Sequence, residues 1–225
     1  MSPWFKKTVF TAFILSSSLL TREVQAFMSE EFIQYHLTVA SQEVEDPYIF
    51  DLIEENVNNL KYAGVSDSAA NELINLIHEN YKIDPYNMAK LIRTLDYANS
   101  LNNATKVILE AINYGSSLTD DHLSELIRLL DHANPCNSVT KILIKAIESK
   151  ILLKSNHLAA LINLLTHANP SDNATKVLLK AIECGIRFTA KERYLLAEVS
   201  KQANARNNVE RIRQALHARD KNNKG

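Results

Sequence analysis

Ala63, Ala98, Ala133, Ala168 and Ala203 lie 35 residues apart with no insertion, and Asn99, Asn134, Asn169 and Asn204 each follow one of them directly. Gly64 holds the same place after Ala63. A fixed period of this length constrains the fold more than any local propensity. It implies one supersecondary unit repeated along the chain, and such a unit buries its apolar face only against its neighbours. Other registers keep the same phase: Leu73, Ile108, Leu143 and Leu178; Ile77, Ile112, Ile147 and Ile182; Lys106, Lys141, Lys176 and Arg211. Inside one unit, Met88, Leu91, Ile92 and Leu95 recur at the three- and four-residue steps of a helical face. Ala104, Val107, Ile108, Ala111 and Ile112 do so again after a short break. Strand alternation appears nowhere. The expected fold is all-α, an α-solenoid of about five helix-turn-helix repeats over residues 49–223, with units at 49–83, 84–118, 119–153, 154–188 and 189–223.

The punctuation fits paired helices. Asp67, Asn102, Asn137, Asp172 and Asn207 recur at the same 35-residue spacing where each second helix should begin, and are read as N-caps. Gly64, Gly115 and Gly185 fall just past expected helix ends, where a left-handed residue is wanted. Pro47 and Pro85 follow Asp46 and Asp84 as first-turn prolines after a cap, while Pro135 and Pro170 fall in turns between paired helices. Thr189 with Glu192 matches a capping box. The ends differ as a stack requires. Arg213, Gln214 and His217 replace apolar registers and give the last helix a wettable outer face. Residues 27–46, with Phe27, Phe32, Ile33 and Leu37, are expected to cap the first unit, and residues 219–225 to form a disordered basic tail.

Before the repeats, residues 1–26 read as a cleavable signal peptide. Lys6 and Lys7 precede a mostly apolar stretch from Thr8 to Leu20, and Val24-Gln25-Ala26 supplies the small residues of a peptidase site. That stretch is too short to span a ~30 Å hydrocarbon core. The mature chain is therefore expected to be exported, periplasmic or secreted, without stable membrane insertion. Its formal charge of −1 gives no reason to expect nucleic acid or a membrane surface as partner. Charge is nevertheless unevenly placed: residues 27–100 carry 4 Lys/Arg against 13 Asp/Glu, and residues 187–225 carry 10 against 4. Cys136 and Cys184 would suit a bridge in an oxidising compartment. In stacked hairpins, however, they lie on opposite edges, roughly 18 Å apart by helix length, so two free thiols are expected.

The second half of each unit resembles the pentatricopeptide repeat, a 35-residue helical hairpin related to the tetratricopeptide class. Ala168-Asn169, Ala174, Val177-Leu178, Ala181 and Gly185-Ile186 match that family's spacing, as do Ala63-Gly64, Ala69 and Leu73. The resemblance implies a helical-repeat fold and, for the family's typical members, RNA read one base per repeat. The base-reading places here hold Glu55, Lys90, Glu125, Ala160 and Leu195 rather than Asn, Thr or Ser. An acidic first half also lacks the basic track that phosphate neutralisation needs. The family's fold is adopted and its function is not.

No phosphate loop, His-Glu-x-x-His, Cys-x-x-Cys or nucleophile elbow is present, so neither catalysis nor a cofactor is expected. One register runs Tyr62, Tyr97, His132, His167 and Gln202. One and two turns earlier on the same face come Lys90 and Arg93, Glu125 and Arg128, and Asn163. Tyr62, Lys90, Arg93, Tyr97, Glu125, Arg128, His132, Asn163 and His167 thus form a polar and aromatic stripe on the first helices, which in solenoids line the concave side. The expected function is a non-enzymatic exported scaffold that binds a protein or peptide there. A plainer reading packs these rings at helix C-termini, where His⁺ suits the dipole. A metal at His132 and His167 is disfavoured, because neighbouring repeats sit about 10 Å apart and no third ligand is evident. A secreted effector-type binding module of a host-associated bacterium and an RNA-binding pentatricopeptide-type protein remain alternatives. The oligomeric state stays open.

Overall fold

A computed structural model describes residues 47–222 of the chain. The expected signal peptide (1–26), the capping segment (27–46) and the last three residues of the tail lie outside the described residues. Among the described residues there are ten helices and no strand. They are α1 (Pro47–Asn59), α2 (Ser66–His78), α3 (Pro85–Thr94), α4 (Leu101–Asn113), α5 (Asp120–Leu129), α6 (Cys136–Glu148), α7 (Ser155–Leu164), α8 (Ser171–Glu183), α9 (Ala190–Val199) and α10 (Arg206–Asn222). The starts of α2, α4, α6, α8 and α10 are 35 residues apart, as are those of α3, α5, α7 and α9.

Contacts follow chain order. Each of α3, α5, α7 and α9 packs against the helix that follows it, α2 through α10 touch one another in even-numbered succession, and α3 through α9 do so in odd-numbered succession. The compact unit begins at Tyr48. Its core is the set of apolar registers: Leu91, Leu126, Leu161 and Leu196 are at most 1% exposed, and Ile108, Leu143 and Leu178 are fully buried. Each such side chain contributes about 2 kcal/mol by leaving water. No helix among the described residues is long and apolar enough to cross a membrane.

The second helices do not start as expected. Asp67, Asn102, Asn137, Asp172 and Asn207 sit one residue inside α2, α4, α6, α8 and α10, and the N-caps Val65, Ser100, Pro135 and Pro170 make no side-chain capping bond. The preceding turn supplies the acceptors instead. Tyr62 O accepts from Val65 N and Ser66 N (3.1 and 3.0 Å), and Tyr97 O accepts from Ser100 N and Leu101 N at 3.1 Å. The polar register works between units: Asn103 Nδ2 donates to Asp67 Oδ1 (2.8 Å), Asn173 Nδ2 to Asn137 Oδ1 (3.4 Å), and Asn208 Nδ2 to Asp172 Oδ1 (3.3 Å).

The ends of α2, α4, α6 and α8 repeat one motif. Asn80, Gly115, Lys150 and Gly185 all have φ between 63° and 86°. Tyr81 N, Ser116 N, Ile151 N and Ile186 N each reach back five residues, to Leu76 O, Ala111 O, Ala146 O and Ala181 O, at 2.8–3.0 Å. This is the Schellman arrangement, which satisfies the last carbonyls. Gly64 was expected to serve the same purpose, but its φ is not positive; it lies in the turn between α1 and α2, where other units carry Asn. Lys150 is the costly member, since a Cβ at positive φ costs about 1–2 kcal/mol. Lys150→Gly is expected to stabilise the protein by about 0.5–1 kcal/mol after glycine's extra chain entropy is deducted. An unchanged or lower urea midpoint would contradict this.

The chain's end also differs. Residues 219–222, read as part of a disordered tail, continue α10. Arg219 Nη1 donates to Ile186 O at 2.6 Å and Asp220 pairs with Arg193 at 2.7 Å, so the last turn is tied to the preceding unit and to α9.

Candidate functional site

Helices α3, α5, α7 and α9 each carry a buried polar residue in their first turn, at a register the sequence reading noted only at Glu192. Asn87, His122, His157 and Glu192 are 0%, 6%, 1% and 1% exposed. His122 Nδ1 accepts from Thr119 N (3.2 Å) while its Nε2–H donates to Pro85 O in the preceding unit (3.0 Å). His157 repeats this with Lys154 N and Asp120 O, both at 3.2 Å. Glu192 accepts from Thr189 N (2.7 Å), completing the expected capping box, and from the Ser155 hydroxyl one unit back. The tautomer follows from the network: with Nδ1 facing an N–H, the proton must sit on Nε2. His122, His157 and Glu192 thus join units along the first-helix row. In the same register Asn87 Nδ2 donates to Asp84 Oδ2 (2.7 Å), and its buried Oδ1 has no partner among the described residues.

The stripe lies on the exposed side of that row. Much of it is paired internally. Lys90 Nζ reaches Glu54 Oε1 at 2.5 Å and stands 4.5 Å over the Tyr86 ring. Arg128 grips Glu125 through both nitrogens of one edge (2.8 and 2.7 Å), and that bond holds the Glu125 carboxyl below its ordinary range. Arg128 Nη1 donates to His132 Nε2 (3.1 Å), and His132 Nδ1–H donates to Asp96 Oδ1 of the preceding unit (2.8 Å). His167 Nδ1 meets Asp131 Oδ1 at 3.0 Å in the same way. Glu54, Asp96 and Asp131 were missed as members. The 35-residue step between Asp96 and Asp131, each just before a stripe ring, was the signal that could have found the last two.

Tyr62, Arg93, Tyr97 and Asn163 differ from the rest. They are exposed, and among the described residues their side chains make no hydrogen bond or ion pair. Tyr62 is 64% and Tyr97 53% exposed, one unit apart. The structure thus divides the nine stripe residues into a hydrogen-bonded and ion-paired set that spans unit boundaries and a set of two rings, one guanidinium and one amide without such a bond. Two phenol rings at that spacing offer apolar area and a polar tip at low entropic cost.

Among the described residues no group of three or more His, Cys, Asp or Glu could hold a metal ion. His132 and His167 each face a carboxylate rather than one another. Cys136 opens α6, with its Sγ 3.4 Å from Ala133 O, and Cys184 caps α8; both carry free thiols.

No protein-family model, curated protein or solved structure matches the chain. The functional reading rests on these residues alone.

Proposed function

We propose that the chain is an exported, non-enzymatic helical-repeat scaffold, an α-solenoid whose first-helix row forms a concave face that binds a protein or peptide. The observation that carries this is the uncommitted set on the stripe, Tyr62, Arg93 and Tyr97. Exposed tyrosine and arginine are enriched at the centres of interfaces, and among the described residues these side chains make no hydrogen bond or ion pair. The 35-residue recurrence of helix starts and the succession of contacts support the solenoid. The leader at residues 1–26 is the support for export.

Photo-crosslinking in cells tests the proposal. A crosslinker placed at Asn163 should trap a defined partner, and one placed at Lys141, the second residue of the basic register that recurs on the even helices, should not. Tyr62→Ala, Arg93→Ala and Tyr97→Ala combined should remove that adduct while leaving the helical circular dichroism unchanged, because these side chains support no internal bond. Equal adducts from both positions, or an adduct indifferent to the triple change, would reject the face.

A further inference from the structure

We infer that the cleft between α9 and α10 is a second binding site, one that takes carboxylates from an acidic segment of a partner protein. The cleft has a volume of about 270 Å³ and is lined by Arg193, Leu196, Arg213, Leu216, His217 and Asp220. Its composition follows from register. In the preceding unit the places of Arg193, Arg213 and His217 are held by Leu158, Leu178 and Ile182, which are 2%, 0% and 3% exposed. Those are the places the following unit covers. Here a guanidinium, a second guanidinium and an imidazole stand over a floor of Leu196 and Leu216, which stay buried.

Wettability alone needs any polar group, yet all three replacements carry N–H donors and none is acidic. The chain itself shows what they hold. Asp220 enters from the last turn of α10 and its Oδ2 takes Arg193 Nη2 at 2.7 Å, while Arg219 stands 3.5 Å from its other oxygen. That contact keeps the Asp220 carboxyl below its ordinary range. Arg213 retains only a 3.3 Å bond to the Ser200 hydroxyl, and the His217 ring has no partner among the described residues. Asp220 thus fills one third of a three-donor site with a carboxylate. A partner carboxylate would displace or join it, with Arg213 and His217 open to a second. Charge complementarity sets the occupant: residues 187–225 carry 10 Lys/Arg against 4 Asp/Glu, so the surroundings also attract an acidic chain. This site is independent of the stripe.

The test is fluorescence anisotropy of the full chain with a labelled peptide of alternating Glu and Ala. Arg213→Ala with His217→Ala should weaken binding at least tenfold. Asp220→Asn should tighten it several-fold by removing the internal competitor, whereas Glu210→Gln, the same charge change outside the cleft, should not. The stripe triple variant should bind the peptide unchanged. Equal effects of Asp220→Asn and Glu210→Gln, or indifference to the Arg213 and His217 changes, would overturn the site. So would full displacement of the peptide by inorganic phosphate at matched ionic strength, which would assign the cleft to a small oxyanion. Self-association of the unliganded chain that the Arg213 and His217 changes abolish would assign it instead to a second copy, and would equally overturn the inference.

Discussion

Leu126→Ala is expected to lower stability by about 3 kcal/mol, within the 2–5 kcal/mol range of buried leucine truncations. Leu126 is fully buried in α5, between the equivalent Leu91 and Leu161. Helices α3 and α7 pack on either side of α5, so a cavity there weakens two unit boundaries together. In a chain whose units touch only their neighbours, weakening a middle unit also divides the cooperative block. Urea unfolding should therefore broaden, with a smaller apparent m-value as well as a lower midpoint. Leu216→Ala, in the last helix, removes the same side chain but should fray one end and leave the main transition sharp. Identical, parallel shifts for both variants would show that the helices fold as one indivisible core.

Truncation of the histidine that bridges α5 to the previous unit has the second largest expected effect. His122→Ala should cost about 2 kcal/mol, since it strips a partner from both Thr119 N–H and Pro85 C=O and removes a buried ring. It should also change how stability depends on pH. Burial, the largest influence, holds the His122 pKa below its ordinary value, against the opposing pull of the Pro85 carbonyl and the Asp121 charge. The unfolded chain consequently takes up this proton at higher pH than the folded one. The stabilisation is complete above the unfolded value of about 6.5 and is lost as pH falls below it towards the folded value. The carboxyls held low by their partners, such as Glu110 beside His78 and Glu125 beside Arg128, act in a lower window, below about 4.5. Comparing urea midpoints between pH 5 and pH 8, the wild type should lose stability on acidification and His122→Ala should lose less. Parallel curves would mean that the ring takes up its proton as readily inside the fold as in the unfolded chain.

Helix type, number and order were legible because the period of 35 is carried by apolar residues, whose burial the hydrophobic effect enforces at every unit. Polar registers were harder to read, because the same side chain can serve a local or a distant bond. The Asp67 register looks like a set of caps when only neighbouring backbone is considered. It acts across units, since turn carbonyls at Tyr62 and Tyr97 had already met the orphan N–H groups. Asn80 and Lys150 escaped notice because neither is glycine, although both stand 35 residues from one that is. The stripe's membership was legible in part. Its division into paired and uncommitted residues depends on distances that no spacing encodes: Glu54 pairs with Lys90, and Asp96 and Asp131 bond to the rings of His132 and His167, each from the neighbouring unit.

The buried first-turn side chains also give the molecule a direction. His122 and His157 draw on a backbone carbonyl of the helix before them, and Glu192 on the Ser155 hydroxyl of the unit before it. Losing a unit on the amino-terminal side would therefore leave a histidine N–H that is sealed from water without its acceptor.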